Sequence, residues 1–298
     1  LLAGLVSGEL RQGALDGVML EAVAQAGSVS ARDVRRAVTL AGTLSPVAQS
    51  VLVAGAAGLD AFRLTVGSAL RPMLAQPAAD MADALGRVSP AAVEWKLDGI
   101  RVQVHRAGDE VHVFTRTLED ITPRVPEVVE AVLALPVRDV VLDGEVIALA
   151  PDGRPRPFQV TASRTARHDV AAARDATPLT LFAFDLLHVD GRDLVGEDGS
   201  TRWRALSAVV PEELRVPRTV TSDVDVATAF MRDALDKGHE GTVVKALDAP
   251  YEAGRRGAGW LKVKPRHTLD LVVLAAEWGH GRRTGWLSNL HLGAGDPA

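Results

Sequence analysis

Glu94-Trp95-Lys96-Leu97-Asp98-Gly99-Ile100-Arg101 is the stretch on which the reading of this chain turns. The apolar run Ala91-Ala92-Val93 leads into it and has the character of a strand. An Asp-Gly pair is a strong short-range reversal signal, so the spacing predicts a hairpin that turns at Asp98-Gly99. The predicted return strand alternates, with Ile100, Val102 and Val104 on one face and Arg101, Gln103 and His105 on the other. Such a hairpin places Lys96 and Arg101 together at its mouth. A partly desolvated lysine beside a second cation loses proton affinity and can act as a neutral nucleophile. A surface hairpin with solvated charges is the other reading of the same residues.

Moving outward, residues 1 to about 62 carry apolar residues at helical spacing through Leu15, Val18, Met19, Ala22, Val23 and Ala26. Gly27 is placed to stop that helix, and Ser30 to cap a second one over Ala31–Ala41. Arg71-Pro72-Met73-Leu74-Ala75 is extended by its proline, and a short helix is predicted over 78–85. From about Ala91 the period switches to two. Strands are predicted at 91–93, 100–105, 111–114, 140–149, 179–184 and 241–245, with helices over 126–135 and 226–237. Strands with interspersed helices in this order point to packed antiparallel sheets rather than a doubly wound one.

The bulk properties narrow the field. At 298 residues the chain is long enough for two or more domains. Its 47% hydrophobic and 24% charged residues are ordinary for a globular protein. No apolar run reaches the roughly 20 residues of a membrane span; Val51 to Leu59 is the nearest, and glycine breaks it. With no cysteine there is neither a disulfide nor a thiolate zinc site. The net charge of −5 is not that of a basic nucleic-acid binder, but a local basic face matters more than the total. Arg255, Arg256, Lys262, Lys264, Arg266, Arg282 and Arg283 gather such charge after Tyr251.

Further stretches carry chemistry. Thr115-Arg116-Thr117 follows the second predicted return strand. Leu142-Asp143-Gly144-Glu145 sets a carboxylate beside a strand, and hard oxygen donors suit Mg²⁺ or Mn²⁺. Phe184 sits in the apolar strand Phe184-Asp185-Leu186-Leu187. Glu240-Gly241-Thr242-Val243-Val244-Lys245 pairs a carboxylate with a lysine; in a regular strand the two face opposite ways, so a bulge or the strand end must bring them together. Lys262 and Lys264, two apart in Trp260-Leu261-Lys262-Val263-Lys264, share a face and can offset charge on a polyanion. Gly279 to Gly285 is glycine-rich but lacks the Gly-Lys-Ser/Thr end of a P-loop.

Lys-x-Asp-Gly-x-Arg, followed in order by these five stretches, resembles the covalent nucleotidyltransferases: DNA ligases, RNA ligases and mRNA capping enzymes. The resemblance is closest to the ATP-dependent DNA ligases, within them to the actinobacterial (mycobacterial) B-type enzymes, and it covers nearly the whole chain. It implies a multidomain fold. Residues 1–70 would be the C-terminal part of an all-α DNA-binding domain and 71–90 a linker. Residues 91–265 would be an α+β adenylation (nucleotidyltransferase) domain of ATP-grasp-like antiparallel sheets, and 266–298 the beginning of a β OB-fold domain, truncated at the chain end. NAD-dependent ligases carry a four-Cys zinc module, which a chain without cysteine cannot form.

The resemblance also implies roles. Lys96 would be the nucleophile that forms lysyl-AMP. Glu94 would read the adenine amino group and so favour ATP over GTP. Arg101, Arg116 and Arg256 would contact the nucleotide, and Phe184 would stack on adenine. Glu145 would bind metal or ribose, Glu240 metal, and Lys245 either phosphate or the adenine side. Lys262 and Lys264 would meet the triphosphate and depress the proton affinity of Lys96. Gly8-Glu9-Leu10-Arg11-Gln12-Gly13 resembles a short DNA-binding motif, with Arg11 and Gly13 as contacts; an ordinary glycine-punctuated helix junction is the alternative. Arg32, Arg35 and Arg36 either touch phosphates or form a solvated helix face. The implied cofactors are ATP and Mg²⁺ (or Mn²⁺). The implied partner is nicked double-stranded DNA, met by a monomer in the bacterial cytoplasm, at the nucleoid, in repair, replication or recombination. An RNA ligase or capping-type transferase would share the catalytic stretches; a non-catalytic DNA-binding scaffold would not need them intact.

Overall fold

The computed structural model describes residues 15–166, 169–265 and 270–295. It divides into two compact units, one ending at Lys264 and one beginning at Pro265.

Among the described residues of the first unit, three helices come first, α1 (Leu15–Ala26), α2 (Ala31–Ala41) and α3 (Leu44–Ala54). Ser30 caps α2 as its sequence requires: its Oγ accepts from the Asp33 N–H at 3.0 Å. Val23, Val34, Ala37, Val47, Val51 and Leu59 form the core between the helices. The segment from Leu44 to Ala61 is long and apolar enough, by length and composition, to cross a membrane. However, it changes to a 3-10 turn at Gly55, and Val47, Val51 and Leu59 are spent on the helical core.

Two five-stranded sheets follow. The first has the order β1-β10-β9-β2-β8, where β1 is Gln76–Pro77, β2 Ala91–Lys96, β8 Arg218–Thr221, β9 Gly241–Ala246 and β10 Trp260–Val263. All its pairs are antiparallel except β1 with β10. The second has the order β4-β3-β5-β6-β7 and is antiparallel throughout. Its strands are β3 (Ile100–Ala107), β4 (Glu110–Thr115), β5 (Asp139–Ala148), β6 (Leu179–Val189) and β7 (Arg192–Asp193). Helices α4 (Met81–Arg87), α5 (Pro126–Leu133), α6 (Phe158–Thr165), α7 (Val170–Ala176), α8 (Gly199–Val209) and α9 (Val224–Asp236) lie between them in the chain. The expected strands and helices are therefore present, and the sheets are antiparallel in the main.

The hairpin expected at Asp98-Gly99 is not. β2 pairs with β8 and β9, whereas β3 pairs with β4 and β5. Asp98-Gly99 is a crossover between two sheets. The reason is visible in burial: Ala91, Ala92 and Val93 are fully buried, so β2 is a central strand whose two edges are both taken. Gly99 is required for a further reason, since a Cβ there would overlap Val146 O and the Ile147 side chain. An Asp-Gly pair reports a change of direction, not a partner.

The second unit is an antiparallel pair, β11 (Val272–Trp278) and β12 (Leu287–Gly293). The apolar run Leu269–Ala275 by itself predicts a strand; β11 begins at Val272 and runs on to Trp278, and Leu269 and Arg266 lie outside the described residues.

Candidate functional site

The crossover makes the site. A cavity of about 560 Å³ is lined by the end of β2, the crossover, and parts of both sheets. Lys96 is the last residue of β2 and Glu94 lies two before it. Arg101 is the second residue of β3, Arg116 follows β4, Glu145 is on β5 and Phe184 on β6. Glu240 precedes β9, Lys245 lies within it, Arg256 is in the following loop, Lys262 is on β10 and Lys264 just beyond. All eleven line the one cavity. The facing problem posed by Glu240 and Lys245 is solved at the strand end: Glu240 stands outside β9, and Gly241 turns the chain there with φ +138°, a conformation open to glycine.

The surroundings of Lys96 differ from expectation. Its ammonium touches Glu240 Oε2, not Arg101. Glu240 Oε1 in turn accepts from Lys264 Nζ at 2.7 Å, and the Glu240 N–H donates to Lys96 O at 3.0 Å. Burial pushes the Glu240 carboxyl up, but the hydrogen bonds from Lys264 and Lys96 outweigh it and hold the group below its usual range. Lys262 is pushed down by partial burial and by the neighbouring Lys264, Arg256 and Lys96. Arg116 and Arg256 are exposed. This end of the cavity presents a lysine, a carboxylate it can exchange, and several further cations, a setting suited to a triphosphate.

Arg101 is drawn away from Lys96 because a buried guanidinium must satisfy its planar fork. It donates through Nε and Nη2 to Asp143 at 3.0 and 2.6 Å, and through Nη1 to Met73 O at 2.6 Å. Burial opposes its charge, yet Asp143 more than offsets this and raises its proton affinity. Tyr251 donates to Asp143 Oδ2 at 2.6 Å and accepts from the Met73 N–H at 3.0 Å. Arg101 thus ties the segment around Met73, the sheet and the β9–β10 loop together.

At the other end, Glu94 is only 2% exposed and sits between two cations. Arg218 Nη1 donates to Oε1 at 3.1 Å, and Lys245 Nζ lies 2.6 Å from Oε2. Lys245 also donates to Phe184 O at 3.1 Å and lies over the rings of Phe184 and Trp260, 4.6 and 4.3 Å from their centroids. Phe184 and Trp260 meet edge-on. This end offers aromatic surface and a fixed carboxylate acceptor, a setting suited to a base.

Two carboxylates could hold a divalent cation. Glu145 is half-buried, and desolvation pushes its carboxyl up to about 7 against the opposing pull of Lys96 and Arg101; its Oε1 accepts from the Gly99 N–H at 3.2 Å. Glu240 faces the same cavity. Among the described residues no three His, Asp or Glu converge as a ready-made metal cage.

The sequence reading missed the parts played by Asp143, Tyr251 and Arg218. Tyr251 is the sole tyrosine and Asp143 stood inside a quoted motif, so both left a trace; Arg218 left none. Arg11 and Gly13 lie outside the described residues. Of the arginines on α2, Arg35 is paired with Glu21 at 3.2 Å. Arg32 and Arg36 line a second cavity of about 490 Å³, together with Tyr251 and Arg255.

Known proteins resemble this chain closely. The family model described as ATP dependent DNA ligase domain matches residues 72–264. A probable DNA ligase of Anaeromyxobacter sp. (strain Fw109-5) is 62% identical over 297 residues, covering 99% of this chain and 57% of that protein. A probable DNA ligase of Mycobacterium sp. (strain KMS) is 61% identical over 298 residues, again covering 57% of the relative. The chain therefore spans little more than half the length of these relatives. Among solved structures, mycobacterial DNA ligase D complexed with ATP superposes with TM-score 0.53 at 27% identity, covering 76% of this chain and 68% of that one.

Proposed function

Because the chain belongs to the ATP-dependent DNA ligase domain family, we propose that it carries the adenylating half of a nick-sealing reaction, with Lys96 as the nucleophile. The observation that carries this reading is the convergence of eleven residues from seven separate parts of the chain on one cavity.

In the first step Lys96 Nζ bonds to the α-phosphorus of ATP, the bond to the bridging oxygen breaks, and pyrophosphate leaves. Nζ must be released from Glu240 and give up its proton to water at this open end of the cavity before it can attack. Arriving phosphates supply the means, since they compete with Glu240 for Lys96. Glu145 and Glu240 are the residues to hold Mg²⁺, which when bound neutralises charge on the phosphates. Glu94 accepts from the adenine amino group, Phe184 offers its ring to the base, and Arg116 and Arg256 close on the nucleotide from the exposed rim. Arg101 acts at second hand, through the fixed position of β3 and the crossover. AMP then passes to the 5′-phosphate of a nick, and the 3′-hydroxyl displaces it.

The helices of residues 15–61 are read as the end of a DNA-binding domain, with Arg32 and Arg36 facing the duplex backbone, and β11–β12 as the first strands of an OB-fold. The test is an intact mass before and after ATP with magnesium. The expected result is a gain of one AMP, reversed by pyrophosphate and absent in Lys96→Ala. An adduct that persists in Lys96→Ala would sink the assignment.

A further inference from the structure

Arg218 lies on β8 directly across from Glu94 on β2. Its side chain is 8% exposed, and it does not line the nucleotide cavity. It reaches Glu94 from behind: Nη1 donates to Oε1 at 3.1 Å, while the guanidinium lies 4.2 Å from the Trp203 ring centroid. Lys245 approaches the other oxygen, Oε2, from β9. The last torsion of a glutamate is broad and soft. Two cations, one on each oxygen and one from each flanking strand, remove that freedom. Lys245 alone cannot, because its ammonium also serves Phe184 O and two aromatic rings.

We propose that Arg218 is the positioning residue for base recognition: by fixing Glu94 Oε1 it holds the carboxylate as an acceptor aimed at the 6-amino group of adenine. This rests on the reading of Glu94 given above. The consequence is selectivity rather than affinity alone. A fixed acceptor gains a charge-assisted hydrogen bond from a 6-amino purine and gains nothing from a purine without that group. It meets the 6-carbonyl of guanine lone pair to lone pair. Trp203 keeps the guanidinium plane in place, so the orientation is built into the β2–β8 edge before any nucleotide arrives. A merely structural ion pair would instead support every nucleotide alike.

The two roles separate in a binding ratio. Dissociation constants for ATP and for purine riboside triphosphate, which lacks the 6-amino group, are measured by calorimetry in EDTA, so that no covalent step intervenes. The protein itself is expected to prefer ATP by about tenfold or more, the worth of one hydrogen bond to a charged group. In Arg218→Gln the preference falls toward unity, while the constant for purine riboside triphosphate stays within about twofold of its original value. That unchanged constant also shows that the variant is folded. Arg218→Lys, which keeps the charge but loses the guanidinium that lies over Trp203, is expected to fall between. A preference retained in Arg218→Gln, or an equal loss of both ligands, overturns the proposal. Should Arg218→Gln not fold, an unchanged ratio in Arg218→Lys overturns it. If the parent protein binds ATP but shows no preference, the reading of Glu94 fails first. If it binds neither nucleotide, the adenylation reading fails.

Discussion

Two carboxylates in this molecule are each held between two cations, and they differ in one respect. Glu94 with Arg218 and Lys245 is sealed: the three side chains are 2, 8 and 8% exposed. Glu240 with Lys96 and Lys264 is open: 25, 24 and 42%. The sealed trio joins β2 to both of its neighbours and is shielded from bulk water, so its geometry is fixed by the sheet. The open trio lies where β2 ends and before β9 begins, and water can replace any of its members. The same chemistry thus serves as a fixture at one end of the cavity and as an exchangeable set of contacts at the other. In the adenylation reading, the base end must not move and the phosphate end must.

The largest effect expected from this contrast is functional and sits in the open trio. Lys96→Ala should abolish AMP transfer altogether while leaving a soluble, cooperatively unfolding protein, because Glu240 keeps Lys264. A melt by circular dichroism beside the mass assay checks both halves. Next comes a stability effect in the sealed trio. Glu94→Ala leaves Arg218 and Lys245 buried without their anion, which costs about 3–5 kcal/mol, read as a drop in urea midpoint. Glu240→Ala, in the open trio, should cost no more than about 1 kcal/mol. Equal losses for the two variants would break the comparison.

A third buried group shows what happens when no opposite charge is supplied. His105 on β3 is fully buried. Its Nδ1 accepts from the Gly67 N–H at 3.0 Å, which leaves Nε2 to donate to Gln103 Oε1 at 2.9 Å. Burial, then the nearby His112 and His188, pull its pKa down from 6.5 to about 4. The unfolded chain takes up this proton near 6.5 and the folded one only near 4. Stability is therefore whole above 6.5 and falls as the pH drops through that interval. Lowering the pH from about 7.5 to about 5 should cost about 2 kcal/mol by this route. In His105→Gln the gap in stability from the parent should narrow by about that amount between the two pH values, as seen in melts at both; a gap that does not change with pH would assign the acid sensitivity elsewhere.

The sequence made much of this visible, and the limits have a physical pattern. Strands with alternating or continuous apolar residues, Val102 and Val104 or Val140 to Leu142, were legible because burial writes a period into the chain. So were the residues around the cavity, through their order and spacing, although what each one touches was not. Lys96 and Arg101 are five residues apart, and local reasoning set them side by side. The structure parts them because each answers to something distant: Arg101 to Asp143 and Met73, Lys96 to Glu240. Arg218 is a harder case. It gains its meaning only from the register of β8 on β2, and register between strands more than a hundred residues apart leaves no local mark.

The smallest predicted effect is also the sharpest on the nature of the open trio. Lys264 is 42% exposed, so its bond to Glu240 competes with water and salt, and Lys264→Ala should change stability by no more than about 0.5 kcal/mol. Yet without Lys264, Glu240 has Lys96 alone as a partner and no competing cation to draw it off. If Lys264 helps free Lys96 by holding Glu240 while phosphates draw Lys96 away, the variant should form the AMP adduct more slowly at saturating ATP while its melting temperature is unmoved. Raising the salt from 0.05 to about 0.5 M shortens the screening length from roughly 14 to 4 Å, which should narrow the gap in rate between variant and parent, since salt loosens Glu240 from Lys96 in both. A variant as fast as the parent at low salt would mean that Lys264 plays no part in releasing the nucleophile, and that the open trio is open only to solvent.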